Sequence, residues 1–174
     1  MRRIIPLLTL ITILTLSPVL SMSAAQQPLK VAFFGFELIN TSLEPTTPAE
    51  ETRIKQLNDI YRDMLEKSGH YQFVPISPAI QKQIDESTKI STCNGCQLIW
   101  AREAGADLAA YGEVQKVSNL ILNLNVYMQE SKDGHQYFGR SVDIRGNTDE
   151  TWQHGIRYLV KNYLLAAADQ AEKH

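Results

Sequence analysis

The chain has 174 residues, of which 44% are hydrophobic and 21% are charged, and its formal net charge is −2 at pH 7. A chain of this length and composition suits a single globular domain rather than a fibrous or multidomain protein. The mildly acidic net charge argues against a nucleic-acid partner, because proteins that bind nucleic acids usually carry a basic patch.

The first 25 residues have the three-part layout of a secretory signal peptide. Two arginines precede a long apolar run, and Ser23 and Ala25 stand at the −3 and −1 positions of a cleavage site. The alternative is an uncleaved membrane anchor, because the apolar run approaches the roughly 20 residues that span a bilayer. Pro18 and the small residues after it favour cleavage, and export of the protein to the periplasm is the resulting prediction.

Cleavage of this segment defines the expected mature protein. The segment holds two arginines and no acidic residue, so its removal takes the formal net charge from −2 to −4. We expect residues 26–174 to form one periplasmic α/β domain, with its core at about 29–165. No cysteine stands directly after the apolar run, so a lipid anchor is not expected. No other apolar stretch is long enough to predict a membrane span after cleavage.

The first half of the domain is predicted to alternate strands with helices. Its opening strand is apolar on both faces, which is typical of a central strand covered on two sides. The first helix begins with a capping box and a proline, and a glycine ends it. The predicted elements are a strand at 29–39, a helix from Thr47 to Gly69, an edge strand at 71–76, a short helix from Ser77 and a helix from near Cys93 to Gly105.

The second half is predicted to be a three-stranded meander closed by a helix. A strand at 107–117 leads into residues 119–129, where strict alternation indicates a strand with one buried face. A hairpin turn at 131–134 and a helix cap at 147–150 follow. The element order is therefore β-α-β-α-α-β-β-β-α, an α/β (α+β) fold with a mixed sheet and helices packed on it. The predicted buried face of the alternating strand is Leu120, Leu122, Leu124, Val126 and Met128.

The motif from Cys93 to Cys96 is the feature most able to carry chemistry. Covalent haem attachment requires a histidine directly after the second cysteine, and here that residue is Gln97. A zinc site would require further ligands, but the chain has no other cysteine and its four histidines show no ligand spacing. We therefore expect no metal and no cofactor at this motif.

Two interpretations of the cysteine pair stay open. In an oxidising compartment, a structural disulfide between Cys93 and Cys96 that pins a helix start is the simpler one. The alternative is a redox-active pair, with Cys93 as the nucleophile at the helix N-terminus and Cys96 as the resolving cysteine. No partner that would orient a nucleophile is visible near the motif, so the sequence predicts no catalytic residues.

Four polar residues share the face of the predicted hairpin that points away from the core. Asn123, Asn125, Asp143 and Arg145 could form a recognition surface for a protein, a small ligand or a metal ion. The alternative is the ordinary solvated face of an antiparallel sheet, which is more common. The sequence leaves both interpretations standing.

Four segments of the chain carry a family resemblance: CNGC at 93–96, AGAD at 104–107, GEVQKVSNLIL at 112–122 and DIRGNTDETW at 143–152. Together they resemble a bacterial exported family of unknown function. The resemblance spans about 29–165 and implies no assigned activity. More distantly, the chain is similar to the N-terminal domain of the TolB translocation protein and to curli-secretion and penicillin-binding-protein-activator lipoproteins.

Those distant relatives are envelope adaptors whose surfaces bind other proteins. The resemblance therefore implies a non-enzymatic periplasmic binding or adaptor protein with a periplasmic or envelope protein as its partner. It also implies a setting accessory to an envelope or periplasmic quinoprotein oxidation system. The alternative function is that of a thiol-disulfide oxidoreductase or redox sensor that uses Cys93 and Cys96. We expect this protein to depart from those relatives in having no β-propeller and no lipid anchor, and similarity of fold does not transfer function.

Overall fold

The computed structural model describes residues 27–87 and 89–171, without the side chain of Ser91. The predicted signal peptide at 1–25 lies outside the described residues. Within the described ranges, no helix is both long and apolar enough to cross a membrane.

The order of the elements confirms the predicted order β-α-β-α-α-β-β-β-α. Its last helix is divided into three consecutive segments, of which the middle one is π-helical. In chain order, the elements are β1 (Leu29–Asn40), α1 (Pro48–Ser68), β2 (Tyr71–Phe73), α2 (Pro78–Glu86), a 3₁₀ turn (Ile90–Thr92), α3 (Cys96–Glu103), β3 (Leu108–Lys116), β4 (Ile121–Glu130), β5 (Gln136–Arg145), α4 (Asp149–Leu159), the π-helical segment (Val160–Leu165) and α5 (Ala166–Ala171).

The five described strands form one mixed sheet in the order β2-β1-β3-β4-β5. Strand β1 is parallel to both β2 and β3, whereas β3, β4 and β5 form an antiparallel meander. The central place of β1 explains why its sequence is apolar on both faces. Strand β2 lies at one edge and ends before Pro75, which cannot donate a hydrogen bond to a neighbouring strand.

Helices cover the sheet on both faces. Helices α1 and α4 pack on one face, where Leu57, Tyr61 and Trp152 belong to the main core. Helix α3 packs on the opposite face, where Ala101 contacts the small residues of β1 and β3, and Trp100 packs with residues of α2 and the 3₁₀ turn. The even-numbered residues of β3 and β4 therefore face α1 and α4, and the odd-numbered ones face the other side.

The buried face of β4 is one residue shorter than the sequence predicts. Leu122, Leu124, Val126 and Met128 are buried as expected, but Leu120 is exposed. The turn before β4 accounts for the difference, because the Ser118 hydroxyl accepts hydrogen bonds from the amides of Leu120 and Ile121 at 3.2 and 3.1 Å. Leu120 thus lies in a turn and not in the strand, so the alternation does not extend to it.

The third helix begins later than predicted. Cys93 follows the 3₁₀ turn, Gly95 is the N-cap with a φ of 102°, and Cys96 is the first residue of α3. Gly95 has a left-handed conformation between the 3₁₀ turn and α3, a geometry that glycine adopts without steric cost. The prediction that the helix starts near Cys93 was therefore wrong by three residues.

Candidate interaction site at the end of the meander

Two of the four predicted recognition residues are joined across the sheet. Asn123 on β4 pairs with Asp143 on β5, and its Nδ2 donates a hydrogen bond to Asp143 Oδ1 at 3.0 Å. The Ser141 hydroxyl donates to Asn123 Oδ1 at 2.7 Å. The Asn123 amide is thus held in one orientation by its neighbours, and both ends of this chain of hydrogen bonds, Ser141 and Asp143, are exposed.

Asn125 differs from the other three predicted residues, because it is buried. It pairs with Glu113 on β3 and Ser141 on β5, and Glu113 is buried as well. The Nδ2 atom of Asn125 has no hydrogen-bond partner within the described part of the chain. The four predicted recognition residues therefore do not form one exposed surface, because Asn125 is buried between its neighbours on β3 and β5.

Arg145 stands at the end of β5, opposite Ile121 on β4. Its guanidinium is exposed and makes no hydrogen bond or ion pair with any residue of 27–87 or 89–171. Together with Asp143, Leu120 and Ile144, it lines a cavity of about 560 Å³. The structure thus brings Asp143 and Arg145 to a cavity that the sequence did not predict.

Three apolar side chains next to this cavity are exposed. Val117 is 57% exposed, Leu120 is 74% exposed and Ile121 is 61% exposed. Apolar side chains that cluster on a surface and are bordered by charges are typical of protein-binding sites. We define the meander end as Val117, Leu120, Ile121, Asp143 and Arg145.

A buried ion pair lies beneath the meander end. Lys116, the last residue of β3, points to the core face, and its Nζ atom is 2.7 Å from Oε1 of Glu50 in α1. Both side chains are almost completely buried. A second carboxylate, that of Glu44, lies 3.6 Å from the same ammonium. A buried charge requires such a partner, so this pair fixes the start of α1 against the end of β3.

Asn147 connects this ion pair to the start of α4. Its Nδ2 donates to Glu50 Oε1 at 2.7 Å and to Asn119 Oδ1 at 2.9 Å. Its Oδ1 accepts hydrogen bonds from Trp152 Nε1 at 3.1 Å and from Arg53 Nη1 at 3.0 Å. One amide therefore links α1, α4 and the turn between β3 and β4, which holds the backbone under Leu120 and Ile121 in place.

The surroundings of Glu50 keep its carboxylate ionised. Burial alone would raise its pKa, but the Lys116 ammonium, the Thr47 amide and the Asn147 amide all donate hydrogen bonds to it and lower the pKa to about 2. A carboxylate that is ionised throughout the neutral range acts as a fixed counter-ion and not as a general acid.

Sequence reasoning missed this network, although one signal for it was present. Lys116 has the same parity in β3 as Ala110 and Val114, so an assignment of that strand places its side chain on the core face. A cation on the core face requires a buried anion, and the first turn of α1 is where Glu50 stands. The sequence could predict that Lys116 needs a buried anion, but the folded position of the start of α1 beside the end of β3 was required to identify it as Glu50.

The structure joins Cys93 and Cys96 as a disulfide with a Cα–Cα distance of 5.6 Å. Both residues are partly exposed, and Cys96 opens α3. Whether this pair is purely structural or redox-active stays a prediction. Across the described ranges, no group of three or more His, Cys, Asp or Glu side chains gathers in a way that could hold a metal ion.

Comparison with known proteins places the chain in a family. The model of the DUF3280 family, described as "Protein of unknown function (DUF2380)", matches residues 29–164, so the chain belongs to that family. The match confirms the resemblance to a domain of unknown function that the sequence motifs carried. A comparison with curated proteins gave no match.

Solved structures with a similar fold come from several bacteria. The LpoB C-terminal domain from Salmonella enterica has 14% identity and a TM-score of 0.50, over 72% of this chain and 89% of that chain. Lipoprotein GNA1162 from Neisseria meningitidis has 12% identity and a TM-score of 0.50, over 83% of this chain and 97% of that chain. TolB from Acinetobacter baumannii has 12% identity and a TM-score of 0.38, over 77% of this chain and 28% of that chain. At these identities the likeness concerns the fold.

Proposed function

We propose that this member of the DUF3280 family is a non-enzymatic periplasmic binding or adaptor protein that docks an envelope protein on its meander end. The observation that carries the proposal is the cluster of exposed Val117, Leu120 and Ile121 beside a cavity of about 560 Å³. The signal-peptide layout of the sequence supports the periplasmic setting. The fold shared with a neisserial lipoprotein agrees with an envelope role.

The chemistry of the meander end defines what the partner presents. The apolar cavity accepts one apolar side chain, whose burial is worth about 1.5–3 kcal/mol. The Arg145 guanidinium, which has no partner in the part of the chain that the structure describes, takes an acidic side chain, for which its planar set of donors is well suited. The partner is therefore a protein segment with an apolar anchor next to an Asp or Glu.

The hydrogen bonds at the meander end support binding more than catalysis. The Ser141 hydroxyl donates to an amide oxygen, Asn123 Oδ1, and the amide donates to Asp143. An activated serine would instead donate to a base such as histidine. The side chains of this sheet face orient one another, which is what a preorganised binding surface requires.

Site-specific crosslinking in the periplasm tests where the partner docks. A photoreactive amino acid at Leu120 is expected to give one crosslinked partner, while the same amino acid at Ile99, an exposed apolar position on α3, gives none. The same partner at both positions, or at Ile99 alone, would contradict the proposal. The identity of the protein crosslinked at Leu120 also shows whether it belongs to a periplasmic quinoprotein oxidation system, as we propose from the family resemblance.

A second candidate function is thiol-disulfide exchange, which the position of Cys96 favours. Cys96 is the first residue of α3, and Gly95 offers no side-chain cap, so the free N–H groups at this helix end would stabilise a thiolate there. On this second candidate we propose that Cys96 is the stabilised thiolate, whereas the sequence pattern assigned the nucleophile to Cys93. A reduction potential above about −270 mV would support exchange, while one below about −300 mV would identify a structural disulfide.

A further inference from the structure

A second cavity opens at the opposite edge of the sheet, where β2 leaves β1. Strand β2 ends at Phe73, but β1 continues to Asn40, and the pairing of β1 shifts register at Gly35, whose φ is 91°. The connection from β2 to α2 turns away at Pro75. A cleft of about 330 Å³ results between the edge of β1, helix α1 and that connection.

Arg62 of α1 lines this cleft. Its guanidinium carbon lies 4.9 Å from the ring centroids of both Phe33 and Phe73, so the planar group is held against two aromatic rings. Its Nη2 atom makes one long hydrogen bond, 3.4 Å, to the carbonyl oxygen of Phe33. No carboxylate of residues 27–87 or 89–171 forms an ion pair with it, and most of its five donors are unused.

Burial makes the lack of a counter-ion costly for Arg62. The guanidinium is half-buried, and desolvation lowers its pKa, against the opposing effect of Glu66 and Asp59 on the same helix. A cation that is partly removed from water gains when an anion binds directly to it. Arg62 therefore stands ready to bind an anion from outside the described residues.

Asn58 supplies a second donor, one helical turn before Arg62. Its Oδ1 accepts the Phe36 amide proton at 2.8 Å, which fixes the orientation of the side-chain amide. The Nδ2 group is then left as a donor beside Gly35, where it lines the same cleft. Residues four apart project from the same face of a helix, so both donors reach one site.

We infer that this cleft binds a carboxylate carried by a small apolar group. Arg62 and Asn58 meet the two carboxylate oxygens, and Phe34, Val74 and Ile84 form the apolar wall around the rest of the ligand. A volume of about 330 Å³ is at the small end of ligand sites and fits a group the size of one amino acid. The source of this carboxylate is a free organic acid or the C-terminal residue of another chain.

The site is independent of the proposed docking at the meander end, because the two are lined by different residues: the cleft lies beside β1, α1 and the connection after β2, and the meander end lies where β3, β4 and β5 begin or end. The probe for it is N-acetyl-leucine, added to isotope-labelled purified protein and followed by NMR. We expect shifts confined to the amides around Gly35, Asn58 and Val74, with saturation in the millimolar range. N-acetyl-leucinamide, which has no carboxylate, is expected to cause none of them.

Two variants and one control make the test specific. Arg62→Gln is expected to weaken binding at least about tenfold, because it removes the charge and the paired donors. Asn58→Asp keeps an oxygen for the Phe36 amide but repels a carboxylate, so it is expected to abolish binding even if Arg62→Gln proves unstable. Arg145→Gln, at the other edge, is expected to leave binding unchanged.

The source of the ligand is decided by a third probe, the peptide Ala-Ala-Leu with a free C-terminus. Tighter binding of the peptide than of N-acetyl-leucine assigns the cleft to a chain terminus, and equal binding assigns it to a free acid. Equal shifts with the acid and its amide, or unchanged binding by Asn58→Asp, would overturn the inference.

Discussion

Lys116 is a cation on the core face of a strand, and the residues around it determine whether that position is stable. Its ammonium is 2.7 Å from Glu50 Oε1, and Asn147 shares the same carboxylate. Breaking a buried ion pair from one side leaves the other charge unpaired in a poorly hydrated site. The network is thus more sensitive to the loss of one member than its net contribution to stability suggests.

Glu50→Gln is expected to lower the free energy of unfolding by about 3 kcal/mol at pH 7, because Lys116 loses its buried counter-ion. Wild-type stability should also fall between about pH 4.5 and pH 2. The pKa of Glu50 is about 2 in the folded protein against an ordinary 4.5, so its contribution is complete above the higher value and is lost as the pH falls through the lower one. Urea unfolding at a series of pH values measures both effects.

Glu51→Gln is the matched control for that experiment, since Glu51 is exposed in the same first turn of α1. It should change stability at pH 7 by less than about 0.5 kcal/mol. If Glu50→Gln unfolds with the same dependence on acidic pH as the wild type, Glu50 is not the buried counter-ion described above.

Tyr61, unlike Glu50 and Lys116, has a buried polar group without a partner among the described residues. It is completely buried, burial raises its pKa, and its hydroxyl has no hydrogen-bond partner among the residues that the structure describes. Tyr61→Phe is therefore expected to leave thermal stability unchanged or to raise it by up to about 1 kcal/mol. Tyr71→Phe, which removes a 3.2 Å hydroxyl contact with Tyr137, should instead cost about 1 kcal/mol. If calorimetry finds that Tyr61→Phe is less stable than Tyr71→Phe, the Tyr61 hydroxyl does have a partner and this interpretation is wrong.

At the scale of elements, the segment between α2 and α3 is the part of the fold that depends most on one crosslink. The 3₁₀ turn ends at Thr92, α3 starts at Cys96, and the disulfide closes the loop between them. A loop this short restricts the unfolded chain only modestly. We therefore propose that the bond mainly keeps the start of α3 in place, where Trp100 packs on Ile80 and Ile90.

Replacement of both cysteines, Cys93→Ser with Cys96→Ser, is expected to lower the free energy of unfolding by about 2 kcal/mol. Hydrogen exchange should speed up in α3 and in the 3₁₀ turn but not in β4 or β5. Faster exchange throughout the sheet would contradict a local role. If the double variant is as stable as the wild type but no longer replaces it in the cell, the redox candidate is favoured instead.

The sequence predicted the elements whose own residues determine them. The capping box at Thr47 and Glu50 and the alternation from Leu122 to Met128 depend on local geometry, and both are confirmed. Leu120 was wrongly assigned to the strand, because the Ser118 side chain holds it in the turn and β4 begins only at Ile121. The meander end and the Arg62 cleft could not be predicted, because each combines residues from elements that are distant in the sequence and adjacent only after folding.

At the scale of the whole molecule, the mixed sheet separates two surfaces. The ends of β3, β4 and β5 carry the meander end, with exposed apolar side chains and an Arg145 that has no partner among the described residues, while the β2 edge carries the cleft with Arg62. The helices α1 and α4 are locked together by the Asn147 network and Arg53, whose Nε atom is 2.6 Å from Asp149. The proposed docking of an envelope protein and the inferred carboxylate site therefore use separate surfaces of one domain.

The affinity of the purified protein for the partner crosslinked at Leu120 tests the adaptor proposal most directly. Leu120→Glu and Arg145→Glu are each expected to raise the Kd at least about tenfold without changing the melting temperature, because Leu120→Glu removes an apolar contact for the partner's anchor and Arg145→Glu reverses the charge that meets the partner's acid. Ile99→Glu, an equal change on an exposed apolar residue of α3, should leave the Kd unchanged. A partner that binds Leu120→Glu and Arg145→Glu as tightly as the wild type would contradict docking at the meander end.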